Sequence, residues 1–165
     1  MNKISPNSLK EIYKHAIRQY PSEACGFVFN DGSVYKATNI QNELHQKNPI
    51  IYPRKSTEAY SMSLLDIKIL DNSFKTNNYA RFIYHSHPDV GAYFSDEDTE
   101  KALFMKKPIY DVNHLVVDIK KGKIIETKEF SFVDDSFICI ATYDSNGFYV
   151  NSLEIQSKEH LCQKL

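Results

Sequence analysis

The sequence predicts a layered α+β domain. Three observations predict this fold class: an amphipathic helical pattern opens the chain, runs rich in β-branched and aromatic residues indicate strands, and further helical patterns interrupt those strands. The length of 165 residues suits one domain with its own hydrophobic core. We therefore predict a single domain over residues 1–165.

The first helix is predicted to begin with Ser5 as its N-cap and Pro6 in its first turn, and to end before Pro21. Apolar residues recur along it at helical spacing, so they are expected to form one stripe that faces the core. That stripe consists of Leu9, Ile12, Tyr13, Ala16 and Ile17.

A β-hairpin is predicted next, with strands at residues 25–30 and 34–37 around the turn Asp31-Gly32. Residues 39–53 are polar and irregular, which predicts a long loop that borders a substrate groove. His45 lies in this loop, and we expect it to be a solvated histidine rather than a ligand.

Two further helices are predicted. One covers residues 57–74, although the alternation in Tyr60-Ser61-Met62 also allows a strand-like opening. Its buried stripe would consist of Tyr60, Leu64, Ile67, Leu70 and Phe74. The other runs from Ser95 to about residue 105.

The remaining segments are predicted to be strands and turns. A strand at residues 80–84 runs into a histidine pair, and His114 opens a later strand, where it is expected to be structural. The later strands are predicted at residues 114–119, 123–132, 137–142 and 148–150. Residues 152–165 are expected to form a short helix or a frayed end.

Composition excludes several classes of function. The formal net charge of −1 gives no electrostatic basis for binding nucleic acid or an anionic membrane. No apolar run is long enough to span a bilayer, and the N-terminus turns polar at once, unlike a signal peptide. We therefore expect a cytoplasmic protein.

The three cysteines, Cys25, Cys139 and Cys162, are odd in number and far apart, so they indicate neither a disulfide framework nor a CxxC metal site. Cys25 follows Glu23 by two residues and would share its face on a strand. We interpret Cys25 as a buried small residue near a site rather than as a nucleophile.

One short motif indicates a metal site: His85-Ser86-His87-Pro88, with Asp98 eleven residues after the second histidine. Side chains at i and i+2 on a strand point to the same face, so this sequence aims two imidazoles at one point. Pro88 ends the strand, and the chain can loop through Gly91 to return Asp98 to the same place. Two imidazoles and a carboxylate are a three-ligand set for zinc, which leaves the fourth position to water as in catalytic sites.

A simpler interpretation of the same residues also exists. A His-x-His pair alone is often only a polar strand end. Ser95 and Asp98 fit the N-cap and the acidic partner of a capping box at the start of a helix. The two interpretations are compatible, because the first turn of a helix can cap and ligate together.

The string His85-Ser86-His87-x7-Ser95-x2-Asp98 resembles the signature of the JAB/MPN metalloproteases, the JAMM family. That signature also requires an upstream glutamate. Residues 21–29 resemble the family's glutamate strand, because Glu23 is followed by small residues, a glycine and an apolar run. The resemblance extends to about residue 132, and no signature position is missing. It implies a catalytic member of prokaryotic or phage type, with a curved mixed sheet between helices that is related to the cytidine deaminase architecture.

The resemblance also implies a role for each position. His85, His87 and Asp98 would bind Zn²⁺, Glu23 would be the general base and acid, and Ser95 would stabilise the oxyanion. The implied reaction is zinc-dependent hydrolysis of an amide or isopeptide bond. The implied partner is a protein substrate, such as the C-terminal tail of a ubiquitin-like or sulfur-carrier protein, and the oligomeric state stays open.

Two other classes of function compete with this one. The first is a non-enzymatic interaction module of the same fold, or a component of phage tail assembly; the complete signature argues against it. The second is a zinc hydrolase of small molecules, such as a deaminase. That class requires an HxE…PCxxC pattern, which is absent here because Ser86-His87 follows the first histidine and no PCxxC occurs.

Overall fold

The computed structural model describes residues 3–150, which form four helices and nine strands. The helices are α1 (Pro6–Gln19), α2 (Gln41–Lys47), α3 (Leu64–Ser73) and α4 (Asp96–Ala102). The strands are β1 (Cys25–Phe29), β2 (Val34–Ala37), β3 (Ala80–Pro88), β4 (Leu103–Phe104), β5 (Lys107–Pro108), β6 (Asn113–Lys120), β7 (Lys123–Val133), β8 (Ser136–Asp144) and β9 (Tyr149–Val150). The predicted α+β fold class is confirmed.

Seven of these strands form one mixed sheet in the order β2-β1-β3-β6-β7-β8-β9. β3 pairs antiparallel with β1 and parallel with β6, and the other pairs of this sheet are antiparallel. β3 therefore lies between two hydrogen-bonded neighbours, and its C-terminal end, which carries the histidine motif, is fixed on both sides. β4 and β5 form a separate hairpin.

Helices cover both faces of the large sheet. On one face, Leu9 and Ile12 of α1 belong to a buried cluster that includes Tyr84 of β3. On the other face, Leu70 of α3 belongs to a cluster that includes Ile83 of β3. Ile83 and Tyr84 are neighbours in sequence and point to opposite faces, as strand geometry requires. The result is the predicted layered arrangement of helices around a sheet.

α1 begins and ends as predicted, and its N-cap serine accepts a hydrogen bond from the backbone of the first turn. The predicted stripe is wrong at Ile17, whose side chain is 48% exposed. The buried face includes Ser8 and His15 instead. Ser8 donates to the carbonyl of Gly32, and His15 is hydrogen-bonded to the hydroxyl of Tyr84. These hydrogen bonds satisfy the polar groups of Ser8 and His15, so both side chains can be buried. The buried face is therefore centred on a different set of residues, and Ile17 lies at its edge.

The prediction of an irregular loop over residues 39–53 is wrong for its first half, where α2 forms. α2 buries only Gln41 and has no side-chain cap at its start, so it lacks both the apolar period and the capping signal of a predictable helix. Gln41 fixes it by donating to the carbonyl of Arg54. His45 is half-buried in α2, and its Nδ1 lies 2.8 Å from the carbonyl oxygen of Tyr52.

The predicted helix over residues 57–74 is too long at its start, because α3 begins only after Ser63, its N-cap. The strand-like alternative describes the opening better, since Met62 forms an isolated β-bridge with Asn39. The predicted buried stripe holds at Leu70 but is wrong at Leu64 and Phe74, which are 80% and 39% exposed. The reason is that a polar residue, Asp66, is the buried residue of the first turn and accepts a hydrogen bond from Tyr35. Because Asp66 faces inwards, the two leucines that precede it face outwards.

The helix predicted from Ser95 to about residue 105 ends earlier, at Ala102, because the β4–β5 hairpin follows it directly. The turn of this hairpin places Met105 and Lys106 at positive φ angles of 49° and 64°. Turns of this kind usually contain glycine, asparagine or aspartate, so the sequence carries no signal for it.

The later strands agree with prediction to within about two residues at each end. Residues 152–165, for which a short helix or frayed end is predicted, lie outside the described residues. Within residues 3–150, no helix combines the length and apolar character needed to cross a membrane.

Candidate metal centre

The register between β1 and β3 brings the glutamate to the histidines. Cys25 pairs with His85 in an antiparallel ladder, so the same register continued by two residues sets Glu23 opposite His87. Hydrogen bonds continue this pairing past the end of β1. Because paired residues of antiparallel strands share a face of the sheet, these four side chains point to the same side.

Three possible ligand atoms converge on this face. The Nε2 atoms of His85 and His87 lie 3.0 Å apart, and the carboxylate of Asp98 lies 3.4 Å from the first and 3.7 Å from the second. All three residues are buried. Zinc–ligand bonds of about 2.0–2.1 Å at tetrahedral angles would separate neighbouring ligand atoms by about 3.3 Å. The two carboxylate distances involve different oxygens, Oδ1 toward His85 and Oδ2 toward His87. With one atom from each side chain, the candidate ligand atoms lie within 4.8 Å of one another, so small side-chain movements would let the three residues hold a metal ion.

The orientation of the His87 ring and the protonation of the His85 ring suit metal binding. His87 Nδ1 lies 3.0 Å from the carbonyl oxygen of Gly91, so its N–H donates there and leaves the lone pair of Nε2 toward the other ligands. Burial lowers the pKa of His85, which favours the neutral imidazole that a metal requires. The Nδ1 atom of His85 has no hydrogen-bond partner within the described part of the chain.

A capping box at the start of α4 orients Asp98. The hydroxyl and the backbone N–H of Ser95 donate to Asp98 Oδ2 at 2.5 and 2.9 Å, and the N–H of Asp98 donates to Ser95 Oγ at 3.1 Å. Burial raises the pKa of this carboxyl, but the interactions with the adjacent His85 and His87 and the hydrogen bond from Ser95 outweigh burial and hold the pKa well below its usual range. Asp98 is therefore an ionised carboxylate in a fixed position.

Glu23 lies just before β1 and is only 5% exposed. Its backbone is fixed on both sides, because its N–H donates to the carbonyl of Ser56 and its carbonyl accepts from Asn39. Burial raises the pKa of its carboxyl to about 8, with smaller effects from His87, which lowers it, and Asp98, which raises it. A carboxyl with such a pKa can take up or release a proton near neutral pH.

Two tyrosines pack on the histidines and were not predicted as site residues. The ring of Tyr60 stacks on His85 with 4.8 Å between centroids, and the ring of Tyr93 meets His87 edge-on at the same distance. Tyr93 lies between the histidine motif and α4, which is a weak signal of proximity. Tyr60 carries no such signal, because it comes from a segment 25 residues before His85.

An open cleft of about 300 Å³ lies in front of these residues. Glu23, His87, Ser95 and Asp98 all line it, so the sequence-predicted residues meet in one place together with the buried His85. One side of the cleft includes Arg54, which directly follows the segment predicted to border a groove. Residues 51–53 of that segment line an adjoining hollow.

Two other titratable residues near the cleft have no place in this arrangement. Cys25 is fully buried, and burial raises the pKa of its thiol well above the usual range, so it is not a thiolate nucleophile. His114 is also buried, and burial lowers its pKa to about 3. Its ring packs against Phe94 and Phe137, which agrees with the structural role predicted for it.

Solved structures with the same overall fold come from two bacteria. The solution structure of a Desulfitobacterium hafniense protein has a TM-score of 0.56 and 21% sequence identity, with 81% of this chain and 85% of that chain covered. A solution structure from Salinibacter ruber has a TM-score of 0.53 and 22% identity, with 84% and 88% covered. At these identities the likeness concerns the fold alone. Comparison with curated proteins gives no match.

The sequence itself matches a family model. The model describes prokaryotic homologues of the JAB domain, and the match covers residues 5–124. That segment runs from the cap of α1 to the start of β7 and includes Glu23, His85, His87, Ser95 and Asp98. The match agrees with the resemblance seen in the motif. The chain belongs to the family of prokaryotic homologues of the JAB domain.

Proposed function

We propose that this chain is a zinc-dependent peptidase or isopeptidase that hydrolyses an amide bond. One observation carries the proposal: two imidazole Nε2 atoms and a carboxylate converge within 3.7 Å of one another beside a buried glutamate in an open cleft. A ligand set with three protein side chains leaves a coordination position for water or substrate. A purely structural zinc site uses four protein ligands instead.

His85, His87 and Asp98 would hold the metal, and their chemistry favours zinc. Neutral imidazoles and a carboxylate in a tetrahedral arrangement suit zinc better than calcium or magnesium, which prefer oxygen ligands only. When bound, zinc supplies Lewis acidity and lowers the pKa of water toward neutrality. The carbonyl of Gly91 and the capping box at Ser95 support this set by orienting the ring of His87 and the carboxylate of Asp98.

Glu23 would be the group that moves the proton. It shares a face with His87 at the end of the sheet, and its carboxyl belongs to the cleft that the ligands line. Burial favours its protonated form, whereas a cation nearby would favour its ionised form. These opposing influences suit a carboxylate that takes a proton from the attacking water and later gives it to the leaving amine.

Ser95 would stabilise negative charge on the carbonyl oxygen of the substrate through its hydroxyl. In the structure this hydroxyl donates to Asp98 Oδ2 instead. The oxyanion role therefore requires the hydroxyl proton to turn away from Asp98 during the reaction. Orientation of Asp98 is the role that the observed contacts support directly.

The proposed substrate is a protein with an accessible tail, such as a ubiquitin-like or sulfur-carrier protein in the cytoplasm, rather than nucleic acid or membrane. The cleft is open, and an extended segment can enter it to place an amide bond at the ligands. The near-neutral net charge of the chain agrees with a partner that is not a polyanion.

Hydrolysis can be tested with the purified chain after addition of zinc. Fusions in which ubiquitin-like or sulfur-carrier proteins are joined through their C-termini to a reporter peptide would be incubated with wild type and with Glu23→Gln. Mass spectrometry should show cleavage at the junction by wild type only. The proposal is contradicted if wild type, loaded with zinc, cleaves no fusion faster than Glu23→Gln does; that result would favour an interaction module.

A further inference from the structure

A second hollow, which we call the apolar pocket, lies beside the candidate metal centre and has a volume of about 290 Å³. Leu70 and Ile83 are its most deeply buried apolar lining residues, with 1% and 6% exposure. The aliphatic lining also includes Met62, Ile67, Ala102 and Ile109. This lining presents aliphatic side chains from β3, from α3 and the segment before it, and from the end of α4 and beyond.

The apolar pocket adjoins the metal cleft. Three residues line both: Tyr60, Asp98 and Lys101. Asp98 is one of the three candidate ligands, and Tyr60 stacks on another, His85. A substrate peptide whose scissile amide bond lies at the candidate ligands can therefore place a neighbouring side chain in the apolar pocket.

The charge at this junction is already compensated. The ammonium of Lys101 pairs with Glu97 at 2.7 Å and donates to the carbonyl of Tyr60 at 3.1 Å. Asp98 is held by Ser95 and faces the histidines. His114 also lines the pocket, and its buried Nδ1 has no hydrogen-bond partner within the described part of the chain. A charged side chain entering the apolar pocket could gain one hydrogen bond there but no counter-charge, so the loss of its hydration would remain costly. A glycine would leave the pocket unfilled.

We propose that the apolar pocket is a specificity pocket, which binds a large apolar side chain next to the scissile amide bond. Leucine, methionine and phenylalanine are side chains of the required kind. This inference rests on the proposed hydrolytic function, since it assigns the scissile bond to the metal centre. It narrows the proposed substrate class to protein segments that carry a large apolar residue on one side of the scissile bond.

Binding can be measured on the full chain without hydrolysis. Two acetylated pentapeptides of alanine, with leucine or glycine at the centre, would be titrated into the metal-free protein with labelled isoleucine methyl groups. The leucine peptide should shift the signals of Ile67, Ile83 and Ile109 and bind about 10- to 100-fold more tightly than the glycine peptide. Signals of Ile138 and Ile140 on β8 should stay unchanged. Equal binding of both peptides, or shifts only outside the apolar pocket, would overturn the proposal.

Two variants sharpen this measurement. Ala102→Phe should fill the apolar pocket and abolish the preference for leucine. Ile109→Asp places a charge in the lining at a residue that is 51% exposed, so this variant should fold and lose the preference as well. Ile138→Ala, an exposed position on β8, is the control that should retain it. Retained preference in both pocket variants would contradict the assignment.

Cleavage assays separate this proposal from the proposed function. With zinc added, matched substrates would carry leucine or glycine at each position that flanks the scissile bond, and leucine at one position should raise kcat/KM about 10- to 100-fold. If the protein binds the leucine peptide preferentially but hydrolyses no substrate, the specificity pocket is supported and the proposed peptidase activity is contradicted. If kcat/KM is the same for leucine and glycine at every flanking position, the peptidase activity is supported and the specificity pocket is contradicted.

Discussion

His87 is the candidate ligand with the most closely fixed orientation, because its ring is held from two sides. Its Nδ1–H donates to Gly91, and Tyr93 packs against its ring, so Nε2 is fixed toward His85 and Asp98. We predict that wild type binds one zinc ion per chain and that His87→Ala loses most of it. Zinc content per chain, measured after purification without chelators, checks this prediction.

His45→Ala is a matched control, since His45 lies in α2 and belongs to none of the residues that line the cleft. It should retain the wild-type zinc content. The ligand assignment is wrong if His87→Ala and His45→Ala bind equal amounts of zinc. Loss of a ligand need not unfold the chain, because the core clusters do not depend on a metal.

Glu23 gives a second prediction at the same scale. Glutamine has the size of glutamate but cannot accept a proton, so Glu23→Gln should keep the fold and the zinc and lose about 10²–10⁴-fold in kcat. Glu58→Gln, at an exposed position of the same cleft, is the matched control and should stay close to wild type. Zinc content and turnover must be measured on the same preparation. If Glu23→Gln loses its zinc, Glu23 is a ligand and not the proton shuttle.

The hydroxyl of Ser95 gives a third prediction, because it donates to Asp98 at 2.5 Å and accepts the N–H of the same residue. Ser95→Ala should weaken zinc binding about 10- to 100-fold and lower the free energy of unfolding by about 1 kcal/mol through loss of the cap. Ser95→Thr, which keeps the hydroxyl, should retain most of the zinc affinity and most of the free energy of unfolding. Unchanged zinc affinity with lost turnover would assign the hydroxyl to the oxyanion alone.

Four of the signature residues could be predicted as neighbours from sequence because their spacing is local, whereas Glu23, 62 residues before His85, was predicted only through the resemblance to the JAMM signature. His85 and His87 are aligned by strand alternation, and Ser95 and Asp98 by the capping box. Tyr60 could not be found in this way. Its contact with His85 depends on how the segment before α3 folds back over the sheet, which no local pattern records.

Among the elements, those with a strong period were predicted and those held by side-chain hydrogen bonds were not. α1 and the strands of the large sheet carry apolar patterns that survive in the structure. α2 has almost no buried face, and the β4–β5 turn uses Met105 and Lys106 where glycine is usual. The start of α3 was misplaced because the buried carboxylate of Asp66, rather than Leu64, anchors its first turn.

The pairing of β1 between β2 and β3 depends on a glycine. A Cβ atom at Gly26 would lie 2.1 Å from the carbonyl oxygen of Tyr35 and 2.7 Å from the ring of Tyr84, so neither the backbone nor the packed ring could avoid it cheaply. We predict that Gly26→Ala lowers the free energy of unfolding by about 3 kcal/mol. Urea denaturation of the metal-free proteins would measure the difference. A loss below about 1 kcal/mol would show that β1 can shift, and would also weaken the register argument for Glu23.

At the scale of the whole molecule, the two faces of the sheet have different tasks. The face that α1 covers holds the larger apolar cluster. The opposite face carries Glu23 and the histidines, and a cleft interrupts its packing. Because β3 contributes to both faces, the candidate ligands His85 and His87 lie on a strand that is anchored by the core behind it. Because the apolar core and the polar site lie on opposite faces of the sheet, the site can contain buried polar groups while the protein stays folded.

The face that α1 covers contains a buried histidine, His15 of α1, which is hydrogen-bonded to Tyr84. Burial, with smaller contributions from the charges of Lys36 and Arg18, lowers its pKa from 6.5 to about 4. The folded protein therefore resists protonation at pH values where the unfolded chain already binds a proton. Stability from this residue is complete above pH 6.5 and is lost as the pH falls from 6.5 toward 4, by up to about 3 kcal/mol.

We predict that this loss disappears in His15→Gln, which cannot titrate. The variant should be less stable than wild type at pH 7.5, because its contact with Tyr84 is weaker, but the difference should shrink steadily between pH 6.5 and 4.5. Urea unfolding of both metal-free proteins at one-unit intervals would show it. The buried His85 and His114 titrate in both proteins, so their contributions cancel in the difference. A difference that stays constant over this range would mean that the ring of His15 takes up its proton in the folded state as readily as in the unfolded one, and that α1 does not seal this face of the sheet.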